Sequence, residues 1–509
     1  MKTARYPALY QVNTRAWLTD LGRRLGRAVT LDDIPDEPLD QWAKSGFDWI
    51  WLLSVWQTGV ASRAVSRTNP EWRAGFQNAV PDLTDNDIPG SGFAITAYTV
   101  HTSLGGNAAL QRLRTRLAKR GLKLMLDFVP NHMALDHPWV ETHPEYFVAG
   151  NESLLAEQPK NYIRLKRQNN ERIFAYGRDP YFPGWPDALQ LDYSNPAVQT
   201  AMIGELKSIA RQCDGVRCDM AMLLLPDVFE RTWGRRPELF WPRAIQEVKA
   251  AVPGFLFMAE VYWDLEFALQ QQGFDATYDK RLYDRLREGH TDCIRGHLRA
   301  DMPFQDKLAR FMENHDEPRA AATFPHGQHE AAAVATYFAP GLRFFQDGQF
   351  EGRKVHLSPH LGRAPDETID ATTQAFYSQL LEILKRPLFR NGQWRLLECA
   401  PAWNGNWTHD CFVAFRWIGA NDEQAIVVVN YAPNQSQCYI RLPDLVATSR
   451  VWRLKDLLSA DSYDRQGSAL ASVGLYIDAA PWKASVFSME AIGETAPTIA
   501  SRPVPAATS

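Results

Sequence analysis

The segment Asn107-Ala-Ala-Leu-Gln-Arg-Leu-Arg-Thr-Arg-Leu-Ala-Lys-Arg-Gly121 runs directly into Leu122-Lys-Leu-Met-Leu-Asp-Phe-Val129. Leu110, Leu113 and Leu117 share one helical face, Asn107 can cap that helix, and Gly121 ends it. The apolar run after the glycine predicts a strand. The same order returns further on. Asn195-Pro196 is an N-cap with proline in the first turn, Met202, Leu206 and Ile209 share a face, and Gly215-Val-Arg-Cys-Asp219 reads as the next strand. Ala244, Ile245, Val248 and Val252 are spaced for a helix, Gly254 breaks it, and Phe255-Leu-Phe-Met-Ala-Glu260 follows as another strand. Strands that alternate with helices pair in parallel through crossovers. Phe47–Val55 and Gly341–Phe345 fit as further strands. About eight such units over the first ~390 residues predict an α/β fold, a (β/α)8 TIM barrel.

Met133 to about Leu189 lacks periodicity and is rich in Asn, Pro, aromatic and charged residues, which predicts an inserted subdomain after the third strand. Past residue 386 come short β-rich runs, Phe412–Trp417, Ala425–Asn430 and Cys438–Leu442, which predict a C-terminal antiparallel β domain, read as a sandwich. The expected division is therefore a barrel from 1–132 and 190–385, an insert at 133–189, a β domain at 386–492, and a disordered proline-containing tail at 493–509.

Composition narrows the function. Lys plus Arg number 55 and Asp plus Glu 59, a net charge of −4, so no basic excess favours nucleic acid. No apolar stretch approaches the ~20 residues of a membrane span, and Met1–Asn13 has no apolar core of a secretory signal. The six cysteines (Cys213, Cys218, Cys293, Cys399, Cys411, Cys438) are scattered without a CxxC pair, as expected of free thiols in a reducing, cytoplasmic setting. P-loop, HExxH, GxGxxG and GxSxG motifs are missing from the sequence. Tryptophan is abundant, 17 of 509 residues; indole serves core packing but also stacks on sugar rings.

In a barrel, the C-terminal ends of strands build the active site. Here those ends carry Asp127 with Asn131-His132, Arg217 with Asp219, Glu260, and Asn314-His315-Asp316. A single carboxylate at a strand end can be a helix cap or rim salt bridge. Several on successive strands imply acidic groups around one pocket. Two chemistries use such a cluster: a divalent-metal site and glycoside hydrolysis by a carboxylate and a carboxylic acid. The aromatic excess favours sugars.

These residues resemble motifs of the α-amylase family, glycoside hydrolase family 13, over about residues 5–490. Asp127-Phe-Val-Pro-Asn131-His132 resembles the first motif, Gly215-Val-Arg217-Cys-Asp219 the second, Met258-Ala-Glu260 the third and Phe311-Met-Glu-Asn314-His315-Asp316 the fourth. Gly92-Phe-Ala-Ile-Thr-Ala-Tyr98 with Leu104-Gly-Gly106 resembles the segment after the second strand. The resemblance implies Asp219 as nucleophile, Glu260 as acid/base and Asp316 as transition-state stabiliser. It implies Phe93, Asp127, His132, Arg217 and His315 as substrate-binding residues. The substrate would be an oligosaccharide or polysaccharide, with no nucleic-acid or membrane partner and no cofactor. Hydrolysis of α-glucans, glycosyl transfer or isomerisation on maltose, sucrose or trehalose, and an inactive binding homologue share this pattern; the intact carboxylates disfavour the last. The sequence departs from the family at Met222-Leu223, where starch-cleaving members often carry Lys-His, at Ala97, and at Gln190, where many members place an acidic calcium ligand. No metal is therefore expected.

Overall fold

The computed structural model describes residues 4–167, 170–325, 327–442, 445 and 450–494. Eight strands close into a barrel: β1 (Ala8–Asn13), β2 (Trp49–Leu53), β3 (Lys123–Phe128), β4 (Gly215–Cys218), β5 (Leu256–Ala259), β6 (Ala276–Tyr278), β7 (Leu308–Arg310) and β8 (Leu342–Gln346). Each pairs in parallel with the next, and β8 closes on β1, Ala8 lying opposite Arg343. The (β/α)8 fold is thus present. Parallel strands covered on both faces read as continuous apolar runs; Trp49-Ile-Trp-Leu-Leu53 of β2 is buried throughout. Trp49, Trp51, Trp56, Trp241 and Trp417 are almost wholly buried, so much of the tryptophan excess is packing.

Asn195 does cap helix Pro196–Ala210, its side chain accepting from the Ala197 N–H. Asn107 does not cap its helix. That helix runs over Gly106–Ala118 from a cap at Gly105, whose φ of +93° suits glycine. The Asn107 oxygen instead accepts from the Val100 N–H at 2.7 Å.

Residues 132–190 contain a four-stranded antiparallel sheet in the order His132–Ala134, Trp185–Gln190, Asn170–Gly177, Tyr162–Arg167. Its first strand follows β3 closely, so the sheet is anchored beside that strand's end. A second compact unit takes the described residues of 288–299, 327–338 and 386–494. It holds a six-stranded antiparallel-paired sheet, with Phe412–Ile418, Gln424–Asn430 and Ala484–Glu494 at its centre, and a three-stranded sheet that includes Ser436–Ile440. Their side chains share a core that includes Phe412, Ile426, Ile440, Leu454 and Phe487. Of the disordered tail expected at 493–509, Gly493 and Glu494 instead end the last strand, and 495–509 lie outside the described residues. Among the described residues no helix is long and apolar enough to cross a membrane, and the six cysteines are free thiols.

Candidate active site

The parallel ladder sets the levels of the functional side chains. Arg217 on β4 is in register with Asp127 on β3 and Met258 on β5. One step beyond, the Asp219 N–H donates to the Phe128 carbonyl at 2.8 Å and the Glu260 N–H to the Cys218 carbonyl at 3.0 Å. Arg217 and the two carboxylates above it therefore converge. Its Nη1 lies 2.6 Å from Asp219 Oδ1, its Nη2 lies 2.8 Å from Glu260 Oε2, and Asp316 Oδ2 is 3.7 Å from Nη2. Its Nε donates to Tyr278 Oη at 3.3 Å. The guanidinium is buried among the rings of Trp51, Phe93 and Tyr278, with centroids 5.3–5.8 Å from Cζ.

One cation thus faces three carboxyl groups. Glu260 is pushed above the usual carboxylate range, first by burial, then by the charges of Asp219 and Asp316; Arg217 opposes this. Two further donors hold Glu260: the Met220 N–H reaches Oε2 at 2.6 Å and Tyr262 Oη reaches Oε1 at 2.9 Å. Met220 presents its N–H from a left-handed backbone, φ +41°, the kind of strain that functional sites retain. Asp316 also titrates above the ordinary range through desolvation by its surroundings, although its side chain is the most open of the three, 39% exposed.

The expected binding residues separate into two groups. Phe93 and His132 line a cleft of about 260 Å3 together with Asp219, Glu260 and Asp316. Asp127, Arg217 and His315 are fully buried and do not line it. Asp127 spends both oxygens on protein donors, the Trp51 indole at 3.0 Å and the Ser54 N–H at 2.9 Å. Burial raises its carboxyl to about 6. His315 is kept neutral by burial. Gln11 Nε2 lies 2.8 Å from its Nδ1, and its Nε2 lies 3.1 Å from Asp316 Oδ2. With the amide N–H on Nδ1, the ring N–H faces Asp316. The ring packs on Phe93 at 5.5 Å. Sequence reading missed Gln11, Tyr262 and the Met220 N–H. Tyr262, two residues past Glu260, and Met220, directly after Asp219, stood beside motifs; Gln11 did not.

The family model for the α-amylase catalytic domain matches residues 39–352, more than half of the chain. The chain belongs to the α-amylase family. Among curated relatives, the α-amylase MalA of Haloarcula japonica is 28% identical over 58% of this chain and 41% of its own length. An α-glucosidase of Apis mellifera is 25% identical over 43% of this chain and 35% of its own. A maltosyltransferase of Streptomyces coelicolor, α-1,4-glucan:maltose-1-phosphate maltosyltransferase 2, is 26% identical over 50% of this chain and 32% of its own. The chain thus spans less than half the length of these three relatives. In fold, a maltogenic α-amylase of Thermotoga neapolitana superposes with a TM-score of 0.66 at 18% identity, covering 95% of this chain and 98% of that one.

The calcium position that many α-amylase family members use does not suit an ion here. Gln190 Nε2 lies 2.9 Å from Asn131 Oδ1, 3.0 Å from the Asn131 carbonyl and 3.1 Å from the Leu191 carbonyl. An amide donor stands where those oxygens would face a cation, and Asn131 Nδ2 returns a bond to Gln190 Oε1 at 3.1 Å. Chelators should therefore leave the melting temperature unchanged. Gln190→Glu would turn a buried donor into an acceptor facing oxygens, at a cost of about 1–3 kcal/mol. Its melting temperature should fall, and calcium should restore part of the loss. A chelator-induced drop in the wild-type protein, reversed by calcium but not magnesium, would contradict this.

Proposed function

We propose that the protein is a retaining α-glucoside hydrolase acting on α-glucans or maltooligosaccharides in a reducing, cytoplasmic compartment. The observation that carries this reading is the shared guanidinium: Arg217 holds Asp219 and Glu260 at 2.6 and 2.8 Å. Two carboxyl groups gathered on one guanidinium, one held beside the cation and one raised by burial, match the nucleophile and acid/base pair of a retaining glycosidase. Asp219, stabilised as an anion by Arg217, attacks the anomeric carbon. The bond to the leaving oxygen breaks as Glu260 gives that oxygen its proton. The Glu260 carboxylate then takes a proton from water, whose oxygen attacks the same carbon and releases Asp219. Two inversions return the α-configuration. Asp316, steadied by His315, stabilises the oxocarbenium-like charge.

A second cavity of about 410 Å3 lies beyond Tyr262 and Met220 and is walled by Trp263 and Phe182. Room for an acceptor sugar there supports a second reading, glycosyl transfer on the same intermediate. Product analysis on maltooligosaccharides, sucrose and trehalose separates the two. Shorter sugars alone mean hydrolysis, longer ones mean transfer, and no turnover on any of them or on α-glucosyl fluoride would overturn both.

A further inference from the structure

Asp187 belongs to none of the motifs, yet it stands in the same cleft. It lies on strand Trp185–Gln190, which pairs with His132–Ala134, and it lines the cavity that holds Asp219, Glu260 and Asp316. It is 5% exposed. Its backbone is pinned from behind, where Ser62 Oγ donates to its carbonyl at 2.7 Å. Among the described residues the only hydrogen-bond partner of its carboxyl is its own backbone N–H. Most of its bonding capacity is thus unspent in a buried place, where polar groups normally find partners.

Nearby, His132 Nδ1 is also buried without a partner among the described residues. Its ring packs on Trp185 at 5.1 Å. Gly177 lets the backbone pass close to both rings, since a Cβ there would come within 2.9 Å of His132 Cβ and 3.1 Å of Trp185. Another part of the cavity wall is Trp72 packed on His360 at 4.7 Å, with His360 Nδ1 2.9 Å from Ser66 Oγ. The cavity wall is therefore largely aromatic, and Asp187 and His132 contribute unspent polar atoms to it. Apolar walls with a few convergent polar groups are the pattern of a small-molecule site.

We propose that Asp187 is a specificity-determining residue that hydrogen-bonds a hydroxyl of the sugar whose glycosidic bond is cut. This assignment rests on the α-glucoside reading above. Burial raises the Asp187 carboxyl to about 7, so near neutrality it can give as well as accept a hydrogen bond. Asparagine keeps one donor and one acceptor in the same shape, whereas alanine keeps neither.

The test uses α-glucosyl fluoride and its 3-, 4- and 6-deoxy analogues with the wild-type protein, Asp187→Ala and Asp187→Asn, reading fluoride release. The wild-type protein should lose about tenfold or more in kcat/KM at one deoxy position. Asp187→Ala should lose a similar factor on the parent fluoride and little more on that one analogue, while the other positions keep their own losses. Asp187→Asn should retain most activity and the wild-type deoxy pattern. Equal multiplication of the losses at every position, or undiminished activity of a folded Asp187→Ala, overturns the assignment. Should Asp187→Ala fail to fold, Asp187→Asn decides: a folded variant with the deoxy pattern erased also counts against it. Absence of fluoride release by the wild-type protein would remove the glycosidase reading itself, and this assignment with it.

Discussion

Asp219→Asn should lower turnover of α-glucosides on the order of 10^4-fold or more while the protein stays folded and still binds sugar. A nucleophile removed without a substitute leaves only binding and electrostatic catalysis. The fold should tolerate the change because the asparagine oxygen can still accept from Arg217, which also keeps Glu260 at 2.8 Å and Asp316 at 3.7 Å. Without the Asp219 charge, one of the causes that raise Glu260 disappears, so Glu260 should ionise at lower pH in the variant. Steady-state rates, thermal melts and a carboxyl titration check the three parts together. Asp219→Ala adds a chemical control. Azide should enter the vacated face of α-glucosyl fluoride, displace fluoride and give the β-glucosyl azide. Near-normal activity of purified Asp219→Asn would remove Asp219 from the role.

Glu260→Gln has the second largest expected effect, a loss of about 10^2–10^4-fold on natural glucosides. Glucosyl fluoride needs little acid to depart, so its first displacement should persist. Release of the covalent intermediate still needs the base, and the reaction should show a burst and then stall. Wild-type turnover of the fluoride at the steady rate would exclude Glu260 as acid/base. The pH profile gives an independent readout. The raised Glu260 carboxyl places the alkaline limb of kcat/KM above the ordinary carboxylate range, and that limb should vanish in Glu260→Gln. Stability follows the same sign. A carboxyl raised in the folded state contributes stability that is complete below its unfolded value of about 4.3 and is lost as pH rises through the folded value. Melting temperature should therefore decline less with rising pH in Glu260→Gln than in the wild-type protein.

The barrel was legible because its strands are buried on both faces, so runs such as Trp49–Leu53 and Leu122–Val129 carry their burial openly in sequence. The insert was legible only as an irregular stretch. Its hairpin strands Tyr162–Arg167 and Asn170–Gly177 are held by pairing, without a marked apolar alternation. Helix starts were readable where a side chain caps its own helix, as at Asn195. They were misread where it bonds elsewhere, as Asn107 does.

By itself, the order of residues determined that carboxylates end successive parallel strands. A strand delivers the segment that follows it to the same rim wherever the barrel closes, Asp219 and Glu260 directly after their strands and Asp316 in the loop after β7. Asp219, Glu260 and Asp316 were therefore readable as one cluster. Which neighbours reach the cleft depended on burial, and burial depends on packing between distant segments. Gln11 meets His315 across 304 residues because β8 closes on β1. Asp127 and His315 are buried because Trp51, Ser54, Gln11 and Phe93 converge on them from other parts of the chain. Asp187 enters the cleft through strand pairing that no local pattern announces. The raised titration of Glu260 likewise belongs to the tertiary structure: it follows first from burial and then from the charges of Asp219 and Asp316, against the pull of Arg217, and charges interact through space rather than along the sequence.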